Sequence, residues 1–256
     1  QWGTQTDLNT VEDLLAKHPD IKVLAFVHAE TSTGVRNDAK ALCELANKYQ
    51  CLTIVDAVTS LGGIELKVDD WGIDAIYSGS QKCLSCVPGI SPVSFSDRAV
   101  SLIQNRKTKV QSWFLDMNLI VGYWGSGAKR AYHHTAPVNS MYAMYESLLM
   151  LREEGLENAW QRHQRGHEAL AQGLEALNLT LAVDKNYRLP QLNVVEIPSG
   201  VNDADVRQRL LNEFNLEIGA GLGEFAGKVW RIGLMGYACK PRNIDHCLAA
   251  LKQVLK

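Results

Sequence analysis

Two polar side chains stand where apolar, strand-like runs of the sequence end. The run 52–56 is apolar up to Asp56, and the run 75–77 leads into a turn of small residues that presents Lys82, 26 residues after Asp56. Ligands of an open parallel sheet bind at the carboxyl ends of its strands, so both side chains are candidates for one site. A lysine forms a Schiff base with an aldehyde, and a carboxylate holds a pyridine nitrogen protonated. The pair therefore suits pyridoxal phosphate.

The spacing alone leaves a purely structural interpretation of this pair open. An aspartate at the end of a strand often forms a turn or caps a helix, and most lysines are solvated. The separation of 26 positions is enough for one crossover between neighbouring strands, which both interpretations allow.

The elements that must position this pair alternate between helix and strand. Apolar residues recur at helical spacing over 8–17 and 38–49, with Asn9 or Thr10 as the predicted N-cap of the first helix. Short apolar runs typical of strands lie at 22–29, 52–56, 75–77 and 92–95. Strands that alternate with helices predict an α/β fold with a mostly parallel sheet flanked by helices on both faces.

The second half of the sequence predicts a smaller α+β domain. It begins with a helical zone at residues 140–177, which has a break at Gly155. Two strands are predicted at residues 191–197 and 228–234, and two helices at residues 203–214 and 241–255. We place the domain boundary near residue 154, so that residues 1–154 form the large domain and residues 155–256 the small C-terminal one.

Composition excludes several classes of protein. Of the 256 residues 46% are hydrophobic, and the formal net charge is −2, which argues against disorder and against a dominant role in nucleic-acid binding. No apolar run reaches the roughly 18 residues that a membrane helix needs. The six cysteines do not form a disulfide framework and fit a reducing compartment, so we expect a cytoplasmic protein.

Two short motifs could suggest a metal, and we expect neither to bind one. Cys83 and Cys86 form a C-x-x-C motif, but no second pair completes the four ligands of a structural zinc site. His133 and His134 are adjacent, and neighbours on a strand point to opposite faces, so the two cannot share an ion. We treat these histidines as structural.

Six further segments carry a stronger signal, and they follow one another along nearly the whole chain. They are residues 28–35 (HAETSTGV), 55–63 (VDAVTSLGG), 77–82 (YSGSQK), 132–138 (YHHTAPV), 154–158 (EGLEN) and 228–234 (KVWRIGL). Together they resemble the class V, fold type I pyridoxal-phosphate aminotransferases, in particular the alanine–glyoxylate and serine–pyruvate group. The resemblance implies transamination of alanine or serine with a 2-oxo acid such as glyoxylate or pyruvate.

The resemblance also implies roles for individual residues around the cofactor. Lys82 would be the Schiff-base lysine and Asp56 the partner of the pyridinium nitrogen. Thr31 would lie beside the cofactor ring, and Gln81 would lie near the cofactor phosphate.

Three more residues look like family residues that serve the substrate or a second subunit. Tyr132 and Thr135 would reach the phosphate of the neighbouring subunit's cofactor, which implies a homodimer with shared active sites. From the residues alone, the preferred interpretation is that Tyr132 is an interface aromatic and Thr135 a turn residue before Pro137. Arg231 would bind the substrate α-carboxylate, for which its planar fork is suited. An inward arginine in this apolar run is unfavourable without an anionic partner, which favours the ligand role.

Two other functions stay open. The chain could be a class V lyase such as a kynureninase or a cysteine desulfurase. A desulfurase needs a mobile loop cysteine, whereas Cys83 and Cys86 lie close to Lys82 and leave Cys239 as the other candidate. The chain could also fold without binding the cofactor.

The start of the sequence motivates that last possibility. Family members carry, ahead of the matching stretch, a Gly/Ser-rich turn that cradles the phosphate and an aromatic side chain that stacks on the ring. The sequence opens at Gln1 without methionine, and Trp2 directly precedes a segment matching the helix before Lys22, so it cannot be assumed to be that aromatic. We therefore expect the large domain to be incomplete at its N-terminus.

Overall fold

The computed structural model of the protein describes residues 1–124 and 131–256. Its helices and strands up to residue 124 are α1 (Leu8–Lys17), β1 (Val23–Val27), β2 (Ala29–Glu30), β3 (Val35–Arg36), α2 (Ala39–Lys48), β4 (Leu52–Asp56), β5 (Ala75–Tyr77), β6 (Val93–Phe95), α3 (Asp97–Gln104) and α4 (Met117–Trp124). From residue 131 onwards they are α5 (Val138–Glu154), α6 (Leu156–Ala176), β7 (Leu192–Glu196), α7 (Asp203–Phe214), β8 (Gly219–Ala220), β9 (Val229–Gly233) and α8 (Pro241–Val254).

A four-stranded sheet in the order β1-β4-β5-β6 organises the first half of the chain. Strands β1 and β4 pair in parallel, and so do β4 and β5. Val55 and Ile76 point to one face of this sheet, where they are buried in a core that also contains Cys43 of α2. The predicted α/β fold with a mostly parallel sheet is therefore confirmed.

Strand β6 departs from the parallel pairing that the alternation of strands and helices predicts. It pairs with β5 in the antiparallel sense, with Tyr77 opposite Val93. Residues 78–92 turn back at the carboxyl end of β5, so the chain enters β6 from that same edge of the sheet and runs in the opposite direction. The turn that carries Lys82 is part of this return.

Acidic caps fix where the first two helices begin. The carboxylate of Asp7 accepts a hydrogen bond from the backbone N of Asn9, so Asp7 is the N-cap of α1, and the prediction of Asn9 or Thr10 is wrong. Asp38 caps α2 in the same manner by accepting from the backbone N of Ala41. Either side chain satisfies a backbone donor that has no partner within the first turn of the helix.

The second half of the chain packs around its own core. A three-stranded antiparallel sheet in the order β7-β9-β8 is covered by helices α6, α7 and α8. Trp230 of β9, Leu170 of α6 and Leu251 of α8 are fully buried between them. This arrangement agrees with the α+β pattern predicted for the second half.

The chain passes from one half to the other at Gly155, between α5 and α6. Gly155 has a φ of 85°, which separates the two helices at the predicted break. The end of α5 remains in contact with α6, because Arg162 of α6 donates from Nη2 to Oε2 of Glu154 at 2.8 Å. The division into domains at residue 154 stays a prediction.

No helix in the two described ranges is both long enough and apolar enough to cross a membrane. All six cysteines are free thiols.

Candidate active site

The carboxyl ends of β1, β4 and β5 meet at one edge of the four-stranded sheet. Asp56 is the last residue of β4, and in register it lies between Val27 of β1 and Tyr77 of β5. Lys82 follows Tyr77 after a short turn. The structure thus brings the predicted acid and the predicted lysine to the ends of neighbouring strands.

The Asp56 carboxylate is held by two donors. The backbone N of Val58 donates to Oδ1 at 2.8 Å, and the hydroxyl of Tyr77 donates to Oδ2 at 2.7 Å. In the described part of the chain, no lysine, arginine or histidine forms an ion pair with Asp56. The hydrogen bond to Asp56, together with partial burial, raises the pKa of Tyr77 to about 12.

Tyr77 is a residue that the sequence analysis did not assign to the site. A signal was available, because Tyr77 ends the strand that follows Asp56 and neighbouring parallel strands end at a common edge. Its contact with Asp56 depends on the strand register, which the sequence pattern does not fix.

Small polar residues shape the turn before Lys82. Ser78 Oγ donates to the carbonyl oxygen of Ala57 at 2.9 Å, and Ser80 Oγ donates to that of Val87 at 2.6 Å. The side chain of Gln81 folds over Gly79, where a Cβ would lie 2.8 Å from Gln81 Oε1. The turn is therefore tied to the sheet, and Lys82 itself is half-buried.

Arg231 reaches the same region from the small sheet. It is half-buried on β9, and it donates from Nε to the carbonyl oxygen of Ala220 at 2.7 Å and from Nη1 to that of Thr31 at 3.1 Å. Among the described residues no carboxylate forms an ion pair with it. A half-buried cation held only by backbone carbonyls is suited to bind an anionic ligand.

A cavity of about 380 Å³ connects Lys82 with the end of β9. Its lining includes Gln81 and Lys82 on one side and Gly233, Met235 and Tyr237 on the other. Gly233 lies two residues after Arg231 on the same strand, so the two positions face the same side of the sheet. The cavity offers space for a small molecule between the lysine and the second half of the chain.

Tyr132 and Thr135 are not brought to Lys82 or Asp56 within this chain. Tyr132 is 75% exposed. Its hydroxyl lies 2.5 Å from Thr135 Oγ1, and in the described ranges this is the hydrogen bond that the two side chains make. Both hydroxyls thus stand at the surface, in a segment without regular secondary structure.

The same segment corrects our argument about His133 and His134. Residues 131–137 do not form a strand, and the two imidazoles face each other with their Nδ1 atoms 2.7 Å apart. His133 also stacks on Trp113, with ring centroids 4.0 Å apart. In the described part of the protein no group of three or more His, Cys, Asp or Glu side chains is placed to hold a metal ion.

Trp2 lies against the small sheet's loops. Its ring meets Phe225 edge-on, with centroids 5.9 Å apart. Trp2 is not among the residues lining the Lys82 cavity.

The donor set at the sheet edge fits pyridoxal phosphate. Lys82 offers a primary amine and Asp56 an acidic side chain, and neither forms an ion pair with another described residue. Arg231 adds a cation that lacks an acidic partner in the same ranges and suits the carboxylate of an amino acid. These groups match the needs of both the cofactor and its substrate.

Comparisons with known proteins show which family the chain is similar to. The model of the family described as aminotransferase class-V matches residues 2–239. Alanine–glyoxylate aminotransferase of Rattus norvegicus is 43% identical over 256 residues, which cover 99% of this chain and 62% of that protein. (S)-Ureidoglycine–glyoxylate transaminase of Bacillus subtilis is 38% identical, and the match covers 100% of this chain and 65% of that protein.

A solved structure extends the likeness to three dimensions. The crystal structure of alanine–glyoxylate aminotransferase from Nostoc sp. matches with a TM-score of 0.96 and 50% sequence identity, over 100% of this chain and 67% of that one. The present chain spans a little over three fifths of the length of the curated relatives named above.

Proposed function

The chain belongs to the class V aminotransferases, and on that premise we propose that it catalyses pyridoxal-phosphate-dependent transfer of the amino group of alanine or serine to a 2-oxo acid such as glyoxylate or pyruvate. Its architecture is that of fold type I, as predicted. The observation that carries the proposal is the position of Asp56 and Lys82 at the ends of neighbouring strands.

Pyridoxal phosphate, when bound, supplies an aldehyde for Lys82 and a ring that withdraws electrons from the substrate Cα. Asp56 holds the proton on the ring nitrogen, because its two oxygens retain acceptor capacity beyond the bonds from Val58 and Tyr77. Lys82, once its amine is free, acts as the general base: Nζ takes the Cα proton of the substrate and would deliver it to the former aldehyde carbon of the bound cofactor.

Arg231 orients the substrate. Its Nε and Nη1 atoms are fixed by the carbonyl oxygens of Ala220 and Thr31, which sets the plane of the guanidinium before a substrate arrives. A guanidinium in a fixed plane binds a carboxylate through two parallel hydrogen bonds. Because the fork is set in advance, little of the binding free energy is lost in ordering it.

We assign the remaining residues by their resemblance to the family's residues. Thr31 would lie beside the cofactor ring and Gln81 near its phosphate. Tyr132 and Thr135 serve the cofactor of a second copy in a homodimer, which is supported by the exposure of both hydroxyls. Large exposed side chains near them, such as Tyr142 at 72%, are typical of a surface that another subunit covers.

The lyase alternative receives no support from the cysteines. A desulfurase needs an accessible thiolate, because the thiolate is the nucleophile. Burial raises the pKa of Cys83 to about 12 and also raises the pKa of Cys239. Cys86 is partly exposed but lies in the turn directly after Lys82.

The decisive experiment compares the wild-type chain with Lys82→Ala, and Lys252→Ala on α8 is the matched control. We expect the wild type to bind pyridoxal phosphate covalently and to form pyruvate from alanine and glyoxylate. Lys82→Ala should lose the visible absorbance of the attached cofactor and about 10³-fold in turnover, whereas Lys252→Ala should lose neither. Wild-type turnover by Lys82→Ala would contradict the proposal.

Two further outcomes separate the alternatives. Sulfide release from cysteine without keto-acid exchange would favour a lyase. Failure of the wild-type chain to bind pyridoxal phosphate would favour a fold that does not use the cofactor.

A further inference from the structure

Tyr77 makes the one side-chain hydrogen bond to Asp56 among the described residues, although it is not one of the groups that react in the proposed transamination. Its hydroxyl lies 2.7 Å from Oδ2 of that carboxylate. The other oxygen, Oδ1, receives a backbone donor, the N of Val58. The carboxylate is therefore held at both oxygens, one by the main chain and one by a replaceable side chain.

The strand register places the two side chains together. Asp56 and Tyr77 are directly paired residues of the parallel strands β4 and β5, and directly paired residues point to the same face of a sheet. Their neighbours Val55 and Ile76 point to the opposite face and are buried in the core there. Burial of that pair fixes the register, and the register in turn fixes Tyr77 beside Asp56.

We propose that Tyr77 is a positioning residue that holds the Asp56 carboxylate in the orientation needed to bind the protonated ring nitrogen of pyridoxal phosphate. This inference rests on the proposed function, because it needs the cofactor to bind at Lys82. Tyr77 does not touch the reacting atoms and acts only through Asp56.

Two physical effects support this role. A hydroxyl that donates to a carboxylate makes a charge-assisted hydrogen bond, which is stronger than a neutral one and stabilises the ionised form. The bond also restricts rotation of the carboxylate, whose other oxygen is already fixed by Val58. Each oxygen keeps a free lone pair, so the ring nitrogen can bind without displacing Tyr77.

The test is a double-mutant cycle read out by cofactor affinity. Pyridoxal phosphate is titrated into wild type, Tyr77→Phe, Asp56→Asn and the double variant. We expect Tyr77→Phe to weaken binding about tenfold in the wild-type background, the size typical for loss of one hydrogen bond to a charged group. In the Asp56→Asn background the same substitution should have no effect, because Tyr77 acts through the carboxylate.

A cofactor analogue provides the readout that a merely structural role would not change. 1-Deazapyridoxal phosphate lacks the ring nitrogen and should bind wild type and Tyr77→Phe equally well. Equal weakening of both ligands by Tyr77→Phe would overturn the proposal, as would a tenfold effect that persists in Asp56→Asn. Tyr49→Phe is the matched control, because the half-buried Tyr49, which follows α2, donates to a carboxylate, Glu12 of α1, at 3.3 Å.

A titration without cofactor separates failure of this inference from failure of the proposed function. The phenol of Tyr77 is followed by ultraviolet difference absorbance between wild type and Tyr77→Phe, and its ionisation should move to lower pH in Asp56→Asn. If that shift is absent, the hydrogen bond is wrong and the positioning role fails while transamination can stand. If wild type binds no pyridoxal phosphate, both proposals fail.

Discussion

The guanidinium of Arg231 donates a hydrogen bond from Nη1 to the carbonyl oxygen of Thr31, 3.1 Å away, although the two residues stand 200 positions apart in the chain. The bond connects strand β9 with the turn between β2 and β3, next to the end of β1. It joins the small antiparallel sheet to the edge that carries Asp56. Both partners of the guanidinium, Thr31 and Ala220, are neutral carbonyl groups, so the positive charge remains for a ligand.

Replacing this arginine by lysine tests whether the planar fork binds the substrate. Arg231→Lys keeps the charge but loses the bidentate geometry, and we expect KM for alanine to rise about 30-fold, which corresponds to about 2 kcal/mol. The affinity for pyridoxal phosphate should not change. Steady-state kinetics with alanine and glyoxylate, together with cofactor titration, check both statements.

The control for that experiment is an exposed arginine on α6. Arg165 donates from Nη1 to Gln161 at 3.4 Å on the helix surface, so Arg165→Lys should leave KM unchanged. A KM for Arg231→Lys equal to that of wild type would show that the substrate carboxylate binds elsewhere.

Asp74 gives a prediction about stability that does not depend on the cofactor. Its buried carboxylate accepts from the backbone N of Thr53 at 2.9 Å, from Ser96 Oγ at 2.8 Å and from Nε of Arg98 at 2.9 Å. Burial opposes ionisation, but these bonds outweigh it and lower the pKa of Asp74. We expect Asp74→Asn to reduce the free energy of unfolding at pH 7 by about 2 kcal/mol, because the hydrogen bonds to a buried charged group are lost while Arg98, which is 43% exposed, can be solvated.

The pH dependence of this effect has a definite sign. A carboxyl group whose pKa is lowered by folding stabilises the protein above its unfolded pKa, and the stabilisation is lost as the pH falls through the folded pKa. The difference between wild type and Asp74→Asn in urea unfolding should therefore shrink below about pH 4. A difference that is constant from pH 7 to the acid range would contradict the role of the charge. Glu213→Gln in the exposed Arg209–Glu213 pair is the control and should change little at any pH.

The strands that carry the site could be predicted, because local features of the sequence mark where they begin and end. The runs Leu52–Asp56 and Ala75–Tyr77 are short apolar segments that end at polar or small residues, and the structure has strands with these bounds. Helix Asp203–Phe214 begins after Asn202, whose side chain caps it, and so starts where the pattern indicated.

The parts that were not predicted depend on contacts between distant segments. The antiparallel direction of β6 depends on residues 78–92 returning at the same edge of the sheet, and apolar spacing does not report direction. The contacts of Asp56 with Tyr77 and of Arg231 with Thr31 require the strand register and the packing of the two halves. Sequence periodicity constrains faces of elements and says little about which side chains meet across them.

The burial of the cysteines predicts their order of reactivity. Cys83 and Cys239 are buried and their pKa values are raised mainly by that burial, whereas Cys86 is partly exposed. Iodoacetamide at pH 8 should label Cys86 in the native protein before either of the others, since the thiolate is the reacting form. Mass spectrometry of native and urea-unfolded samples measures this. Rapid native labelling of Cys239 would restore a desulfurase as a candidate.

Gly236 packs closely against the turn that carries Lys82, and this contact gives a prediction about how the turn is held. It has a φ of 54°, and a Cβ at this position would lie 2.8 Å from the carbonyl oxygen of Cys83 and would also meet Ser85 Oγ. Ser85 in turn accepts from the backbone N of Tyr237 at 2.8 Å. An alanine at position 236 must therefore push the turn that carries Lys82.

Gly227 is the matched control, because it has a φ of 70° with no atom within 4 Å of the position of a Cβ. Gly227→Ala thus measures the backbone strain alone, about 1 kcal/mol in the free energy of unfolding. Gly236→Ala should lose about 3 kcal/mol, since the steric clash adds to the same strain, and it should also weaken pyridoxal phosphate binding by displacing Lys82. Urea unfolding and cofactor titration of both variants provide the comparison. Equal losses in the two proteins would show that the contact between Gly236 and the Lys82 turn does not position the lysine.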